Sequence, residues 1–354
     1  MKTSEKALAL VMALVLVLSF AAGCQSPAPS QGGATPQSQG GSTPEQKPTQ
    51  HLTLSAVASS SGLFPYCVSI GKVISTHLPE YQITVSESGG NADNTQQIRI
   101  GEIKIANSMS NTDYESYTGT GDMFKGFPFE DFRILWYYES SPIQIVVAAD
   151  SGIETIWDLE GKTFNPGGTG TVAAVATRAA LDVLGIKPNY FEAGQADAAD
   201  AYANRQIVGA VKTGPYPDSY IMQLNTARPV KMLSISDEDM EKILKAIPSI
   251  RSATVPAGSY EGVNEDAFCM SAYQGIQVNM DFSQEDGYRM WKAMWEDGKE
   301  IWQSAYAVGA ENNVPEMTLA GAATPLHAGA VQYLKEKGYD VPAKLIPPEY
   351  KEVN

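Results

Sequence analysis

The chain has 354 residues, and its 40 acidic and 25 basic side chains give a formal net charge of −15 at pH 7. This acidic excess argues against binding to nucleic acid or directly to anionic lipid, because both attract basic surfaces. None of the 3 histidines and 3 cysteines stands at zinc-binding spacing. We therefore expect no metal and no cofactor.

Residues 1–23 have the pattern of an export signal. Lys2 and Lys6 precede an apolar run over 7–22, and small residues lead directly to Cys24. This arrangement is typical of bacterial lipoprotein signals. We predict that Cys24 becomes the lipidated first residue of the mature protein, which would then lie outside the cytoplasm, anchored to the membrane. The alternative is a plain secretory signal followed by a chance cysteine.

Residues 24–50 predict a disordered tether, because they are almost only Ser, Pro, Gln, Gly, Thr and Ala and show no apolar periodicity. The remainder, 51–354, is long enough for one large or two medium domains. Cys67 and Cys269 lie in this part. They either form a disulfide or are two small buried apolar side chains, because spacing alone does not show proximity.

The folded part predicts strands that alternate with helices. Strands are predicted over 51–58, 81–86, 104–107, 132–138, 143–149, 162–164, 207–211, 230–235 and 273–279. Helices are predicted over 66–77, 91–100, 151–159, 172–184, 196–204, 218–225, 237–247 and 288–306, with a loop over 114–131. Such alternation indicates a parallel sheet, in which ligands bind at the carboxyl ends of the strands. Trp291, Trp295 and Trp302 have near-helical spacing, which favours core positions over a ligand platform.

The turn over 165–171, Asn-Pro-Gly-Gly-Thr-Gly-Thr, joins a short strand to the helix over 172–184. Its glycines leave backbone N–H groups unobstructed, and the helix N-terminus adds partial positive charge, so the turn suits a carboxylate, phosphate or sulfate. Thr169 and Thr171 add hydroxyl groups, and either is able to cap the helix. The alternative is an ordinary glycine-rich turn with a threonine cap.

Enzyme signatures are scarce in this chain. The sequence contains no Gly-x-Ser-x-Gly elbow, no Ser-x-x-Lys motif and no Cys-x-x-Cys pair. What remains is a set of polar, glycine-containing turns at strand ends, which is what a non-catalytic binder of small molecules needs.

With these segments in this order, the chain resembles the TAXI-type solute receptors of TRAP transporters over about residues 54–339. The resemblance depends on five pieces. They are Ala149-Asp150-Ser151-Gly152-Ile153, Asp158-Leu159-Glu160-Gly161-Lys162, Gly168-Thr169-Gly170-Thr171, Val255-Pro256-Ala257-Gly258-Ser259-Tyr260 and Pro325-Leu326-His327-Ala328-Gly329-Ala330. It implies an α/β protein with the two-lobe type II periplasmic-binding-protein fold, mostly parallel sheets and hinge strands.

The resemblance also implies how the chain is divided and what it does. We expect lobe I over 51–142 and 272–354 and lobe II over 143–271, connected by hinge strands over 143–149 and 273–279. The cleft would capture a small organic anion, such as a glutamate-like carboxylate, and pass it to a TRAP transporter membrane subunit. We expect a monomer and no enzyme activity. The alternatives are a lipoprotein sensor that signals through a membrane partner and an enzyme on the same fold.

We expect the ligand-binding residues to come from both lobes. From lobe II they are Gly168, Thr169, Gly170 and Thr171, together with Lys212 and Thr213 at the end of a strand. From lobe I they are Ser60, Ser61, Asn91 and Asn111, with Phe64 or Tyr273 covering the apolar part of the ligand. The chain has Leu63 and Phe64 where the family usually has two tyrosines, and Met109 and Asn111 where it often has Gln and Asp. Lobe I is therefore less polar than in the family.

Overall fold

In a computed structural model the chain forms an α/β fold, and the structure describes residues 48–59, 61, 63–168, 171–310 and 312–353. They belong to one structural unit, Gln46–Asn354. The predicted signal, Cys24 and the predicted tether up to residue 47 lie outside the described residues.

The strands of the described residues are β1 (Gln50–Ser55), β2 (Tyr81–Ser86), β3 (Ile105–Met109), β4 (Phe132–Ala148), β5 (Thr163–Phe164), β6 (Asn189–Tyr190), β7 (Gly209–Thr213), β8 (Val230–Met232), β9 (Arg251–Val255) and β10 (Ala267–Asn279). The helices are α1 (Phe64–His77), α2 (Asn91–Arg99), α3 (Ser110–Thr118), α4 (Gly121–Phe124), α5 (Val172–Leu184), α6 (Gln195–Ala203), α7 (Ser219–Ala227), α8 (Asp237–Ala246), α9 (Gln284–Lys292), α10 (Lys299–Ala305), α11 (Val314–Gly321) and α12 (Ala328–Glu336). Single 3₁₀ turns occur at Ile156–Leu159, Ala307–Gly309 and Ala343–Leu345.

The two long strands β4 and β10 form the centre of the main sheet. Its order is β2-β1-β3-β10-β4-β7, with β8 also paired to β4 and β9 also paired to β10. Strand β1 is parallel to β2 and β3, whereas β4 and β10 are antiparallel to each other and to every other strand they pair with. The sheet is therefore mixed rather than mostly parallel.

Strand β4 is continuous over 17 residues, although two separate strands were predicted there. Its pairing with β10 ends at Pro142, and its pairing with β7 begins at Ile143. Proline has no N–H to donate to a sheet and is usually excluded from central strands. Because Pro142 lies where β4 changes partners, the missing donor falls at the junction of the two pairings, and the strand continues through it.

Three hydrophobic clusters form the interior of the described residues. The first core takes its buried residues from 54–138 and 273–345, the second from 143–270 and the third from 146–269. Trp291 and Trp302 are buried in the first core and Trp295 packs against it, so the prediction of core tryptophans is confirmed. Cys67 and Cys269 are both buried and both free, which is the second of the two alternatives for this pair.

The prediction of a loop over 114–131 is wrong, because α3 continues to Thr118 and α4 follows it. The buried positions of α3 are Ser110, Asp113 and Ser116, so its inward face is polar. A search for apolar residues at helical spacing does not detect such a helix. The hydroxyl of Tyr137 donates to Asp113 Oδ2 at 2.6 Å, which provides part of the polar interior this helix needs.

The single helix predicted over 288–306 is interrupted. A π-helical turn over Ala293–Asp297 separates α9 from α10, and the Gly298 N–H donates to the Ala293 carbonyl oxygen at 2.7 Å. A Cβ atom at Gly298 would approach that same oxygen to 2.7 Å. The interruption therefore depends on a residue without a side chain.

Asp113 is expected to make stability fall as pH rises. Burial raises the pKa of its carboxyl to about 7, against the opposing effect of the hydrogen bond from Tyr137. Between about pH 4 and pH 7 the folded protein keeps a proton that the unfolded chain releases, so the free energy of unfolding falls by about 1.4 kcal/mol per pH unit. Asp113→Asn should remove this contribution, whereas the dependence from Glu139, whose pKa burial also raises to about 7, is the same in wild type and variant.

Urea denaturation at pH 5.0, 5.5, 6.0 and 6.5 measures the effect as a difference in slope between wild type and variant. The comparison cancels the contribution of His327, whose pKa is lowered by burial and whose effect on the slope has the opposite sign. Asp131→Asn, at an exposed position, is the control and should leave the slope unchanged. Parallel curves for wild type and Asp113→Asn would contradict the assignment.

Candidate ligand-binding cleft

A short polar segment of β4 lies between the cores of the two lobes. The first core ends on this strand at Tyr138, and the second begins at Ile143. Residues 139–142, Glu-Ser-Ser-Pro, fall between them and are almost completely buried. On β10 the second core ends at Met270 and the first resumes at Tyr273. Both strands thus pass from the first core to the second at this level.

Asn107, in the middle of β3, joins several elements around the first core. Its Nδ2 donates to Asn91 Oδ1 at 2.9 Å and to Gln274 Oε1 at 3.1 Å, while its Oδ1 accepts from the Tyr138 hydroxyl at 2.6 Å. The predicted site residue Asn91 is therefore held in place by Asn107, which was not predicted as a site residue. The only signal in the sequence was its position as the last polar residue of a predicted strand.

The turn before α5 is held together by its own hydrogen bonds. Asn165 Nδ2 donates to the carbonyl oxygens of Phe191 and Ala193 at 2.9 and 3.2 Å, and Asn165 Oδ1 accepts from the Gly167 N–H at 3.1 Å. Gly167 has a φ of +112°, a conformation that favours glycine. The backbone path that presents the start of α5 is thus set by Asn165 and Gly167.

Thr171 is the N-cap of α5. Its hydroxyl donates to the Gly168 carbonyl oxygen at 2.7 Å and accepts from the Ala174 N–H at 3.3 Å. We expected this hydroxyl group to donate to the ligand, but its proton is bonded within the turn. The Thr171 side chain therefore acts as the helix cap, which is the alternative given above. Three predicted site residues lie outside the described part of the chain: Ser60, Thr169 and Gly170.

Lys212 and Thr213 do not face the same side of β7. Successive side chains of a strand alternate, and Ala210 belongs to the third core whereas Val211 belongs to the second. Lys212 therefore shares a face with Ala210, and Thr213 shares the opposite face with Val211. Thr213 Oγ1 is buried without a hydrogen-bond partner among the described residues. The strand brings only one of the two to any single side of the sheet.

The remaining candidates of lobe I have mainly structural contacts. Ser61 Oγ accepts from the Leu63 N–H at 3.3 Å within the same turn, and Phe64 packs against the first core. Tyr273 is 4% exposed, and its hydroxyl donates to the Ser252 carbonyl oxygen at 2.8 Å. The ring of Tyr273 is therefore part of the first core, whereas Phe64 is only partly buried at its edge.

A cavity of about 490 Å³ lies between α3 and α5. One wall carries Asn111, Thr112 and Glu115 of α3, and the other is an apolar flank of α5 formed by Val172, Val175, Ala176 and Ala179. Asn111 Oδ1 is buried and has no hydrogen-bond partner among the described residues. The structure thus brings the predicted residue Asn111 to a cavity that begins at Val172, the first residue of α5, and continues along that helix, whereas the predicted residues Gly168 and Thr171 do not line it.

Glu139 is a buried carboxylate that the sequence analysis missed. It is 6% exposed, and its Oε2 has no hydrogen-bond partner in the described part of the chain. Burial raises the pKa of Glu139 to about 7. Burial, and after it the charge of Glu139, raises the pKa of Tyr216, a residue that packs against the third core. The available signal was the polar break that 139–142 makes between two apolar strand predictions.

Residues 55–338 match the profile of the NMT1-like family. The chain belongs to this family. No curated protein sequence matches it significantly.

Solved structures resemble the NMT1-like chain in fold. A TctC solute-binding protein from Polaromonas is 16% identical with a TM-score of 0.51, the match covering 75% of this chain and 90% of that one. XAC2383 from Xanthomonas citri, solved with ATP, is 12% identical with a TM-score of 0.46 and coverages of 81% and 94%. The periplasmic aliphatic sulphonate-binding protein SsuA from Escherichia coli is 13% identical with a TM-score of 0.43 and coverages of 73% and 79%.

The NMT1-like chain therefore has the two-lobe fold of periplasmic binding proteins. Within the described residues, no helix combines the length and the apolar composition that crossing a membrane requires.

Gly167 and Gly168 should respond differently to the same substitution. A Cβ at Gly167 would lie 2.7 Å from Ala173 Cβ and 3.0 Å from the Ala174 nitrogen, whereas a Cβ at Gly168 would meet, among the described residues, only Thr171 Cγ2, at 3.4 Å. Gly167→Ala should lower the free energy of unfolding by about 1–3 kcal/mol, because it adds both a clash and an unfavourable φ. Gly168→Ala should change it by less than about 0.5 kcal/mol. Equal effects in urea denaturation would show that Gly167 does not set the turn.

Proposed function

We propose that this protein is an extracytoplasmic solute receptor rather than an enzyme. It captures a small organic anion with a carboxylate group and delivers it to the membrane subunit of a TRAP transporter. The observation that carries the proposal is the cavity between Asn111 of α3 and α5, which reaches the first residue of that helix, Val172. Its volume of about 490 Å³ lies within the range usual for small-molecule sites.

The chemistry of the α5 terminus supports an anionic ligand. The first N–H groups of a helix have no partner within the helix, and the helix dipole places partial positive charge at the same end. Carboxylates and phosphates are common ligands of such termini. A carboxylate held there would be reached from the other lobe by the side-chain amide of Asn111.

The proposed partner follows from the resemblance to TAXI-type receptors. The five pieces of sequence that carry that resemblance occur in the family's order, and the profile match covers nearly all of the folded part. We propose lobe I as 51–142 and 272–354 and lobe II as 143–271. The shared strands β4 and β10 would absorb the rotation between them when a ligand binds.

Ligand binding should change the separation of the lobes. The ligand is first identified by mass spectrometry of small molecules released from the purified protein. Spin labels are placed at Ile100→Cys in lobe I and Met222→Cys in lobe II, two exposed positions. We expect the ligand to shift the distance between these labels, and to leave unchanged a control pair within lobe I, Ile100→Cys with Val68→Cys. Identical distances with and without saturating ligand would contradict hinge closure.

We also propose that lipid on Cys24 attaches the receptor to the membrane. Two acyl chains give stable attachment, whereas one chain gives only marginal binding. Wild type should appear in the membrane fraction, and Cys24→Ala should be released or remain unprocessed. Cys67→Ala is the matched control, because Cys67 is buried in the first core and its loss should not alter fractionation. A wild-type protein that is cleaved and wholly soluble would refute the anchor.

A further inference from the structure

Buried polar atoms without partners gather where β4 crosses between the lobes. They include Tyr66 Oη, Glu139 Oε2 and Thr213 Oγ1, none of which has a hydrogen bond to another described residue. Thr213 pairs with Ile143 across the sheet, and the Gly214 N–H donates to the Pro142 carbonyl oxygen at 3.2 Å. Buried polar atoms are normally satisfied, so a group of orphans in one place indicates a water, ion or ligand that satisfies them.

Glu139 faces this place because the strand is irregular there. Gln274 pairs with Glu139, but the next residue of β10, Gly275, pairs with Tyr137, which leaves Tyr138 as an extra residue on β4. A bulge of this kind interrupts the alternation of side chains and frequently re-aims one of them near a functional site. Burial is the main influence that raises the pKa of Tyr66 of α1 and the pKa of Tyr216 after β7, and the charge of Glu139 adds to both shifts, so Glu139 lies near both residues.

No described side chain neutralises Glu139. It forms no ion pair with any described residue, and burial is the only influence that shifts its pKa. A buried carboxylate is normally paired or hydrogen-bonded. The partner that satisfies it best is an ammonium group, because this both donates hydrogen bonds and carries the opposite charge.

We propose that Glu139 binds the amine of the ligand, so that the ligand is an amino acid or a similar zwitterion rather than a simple organic anion. This inference rests on the proposed function, in which the carboxylate of the same ligand is held at the start of α5. Glu139 then selects for the positive end, and Tyr66 and Thr213 provide neutral polar contacts beside it.

The pH dependence of binding distinguishes Glu139 from its surroundings. The titratable groups that act with it are Tyr66 and Cys67 of α1, Tyr138 of β4 and Tyr216 of the turn after β7. The pKa of each is raised above its usual value, mainly by burial, so none of them titrates between pH 5 and 8. Below about pH 7 the amine ligand must displace a proton from Glu139, and its affinity should fall by about tenfold per pH unit.

The test uses matched pairs of probes that differ only in the amine. The pairs are L-glutamate with 2-oxoglutarate, L-alanine with pyruvate, and L-leucine with 4-methyl-2-oxopentanoate. Isothermal titration of the full-length chain at pH 7.5 should show at least one pair in which the amino acid binds roughly 10- to 100-fold more tightly than the oxo acid. Glu139→Gln should abolish this preference and flatten the pH dependence. Glu102→Gln, an exposed glutamate of the same lobe, should retain both.

The outcomes separate this inference from the function on which it rests. If oxo acids bind as well as amino acids, the carboxylate receptor stands and the role of Glu139 is refuted. The role is also refuted if oxo acids bind better and gain affinity below pH 7, because Glu139 would then be a protonated donor to a carboxylate. If no member of any pair binds, both are refuted for these ligands. Thermal unfolding of Glu139→Gln checks that a lost preference is not a lost fold, and a preference that survives in this folded variant also refutes the role.

Discussion

The antiparallel pairing of β4 with β10 is the constraint on which the rest of the structure depends. Strand β3 joins this pair through β10, strands β7 and β8 join it through β4, and strand β9 joins it through β10. The close approach of the two strands requires Gly275, since a Cβ there would lie 2.5 Å from the Trp136 carbonyl oxygen. Because the same two strands belong to both lobes, any motion between the lobes must bend or twist them.

This construction explains why polar groups are buried at the base of the cleft. A strand that leaves one core and enters another must cross a region that neither core fills, and on β4 that region is 139–142. Apolar side chains there would favour a permanently closed interface between the lobes. Glu139 and the serines after it leave the region polar, so that a ligand or water is needed to complete its hydrogen bonds.

The sequence predicted correctly those elements whose bounds depend on residues close in the chain. Helix α5 has the predicted bounds because Thr171 caps its start and Gly185 ends it in the left-handed conformation. Helix α3 was missed because its buried face is polar and is satisfied from distant strands, as in the bond from Tyr137 to Asp113. Glu139 was missed for the same reason, since its burial depends on residues of α1 and of the turn after β7. Propensity and periodicity carry no information on such partners.

The turn before α5 and the crossing of β4 differ in the hydrogen-bonding groups that remain free for a ligand. In the turn before α5, the side chains of Asn165 and Thr171 are already bonded within the protein, so this part is rigid and offers mainly backbone groups. At the crossing of β4, Glu139 and Thr213 retain buried oxygen atoms without partners. Backbone N–H groups donate hydrogen bonds to many different anions. An unpaired buried carboxylate, in contrast, disfavours every ligand that has no hydrogen-bond donor. The discrimination among solutes should therefore come from the hinge strand rather than from the glycine-rich turn.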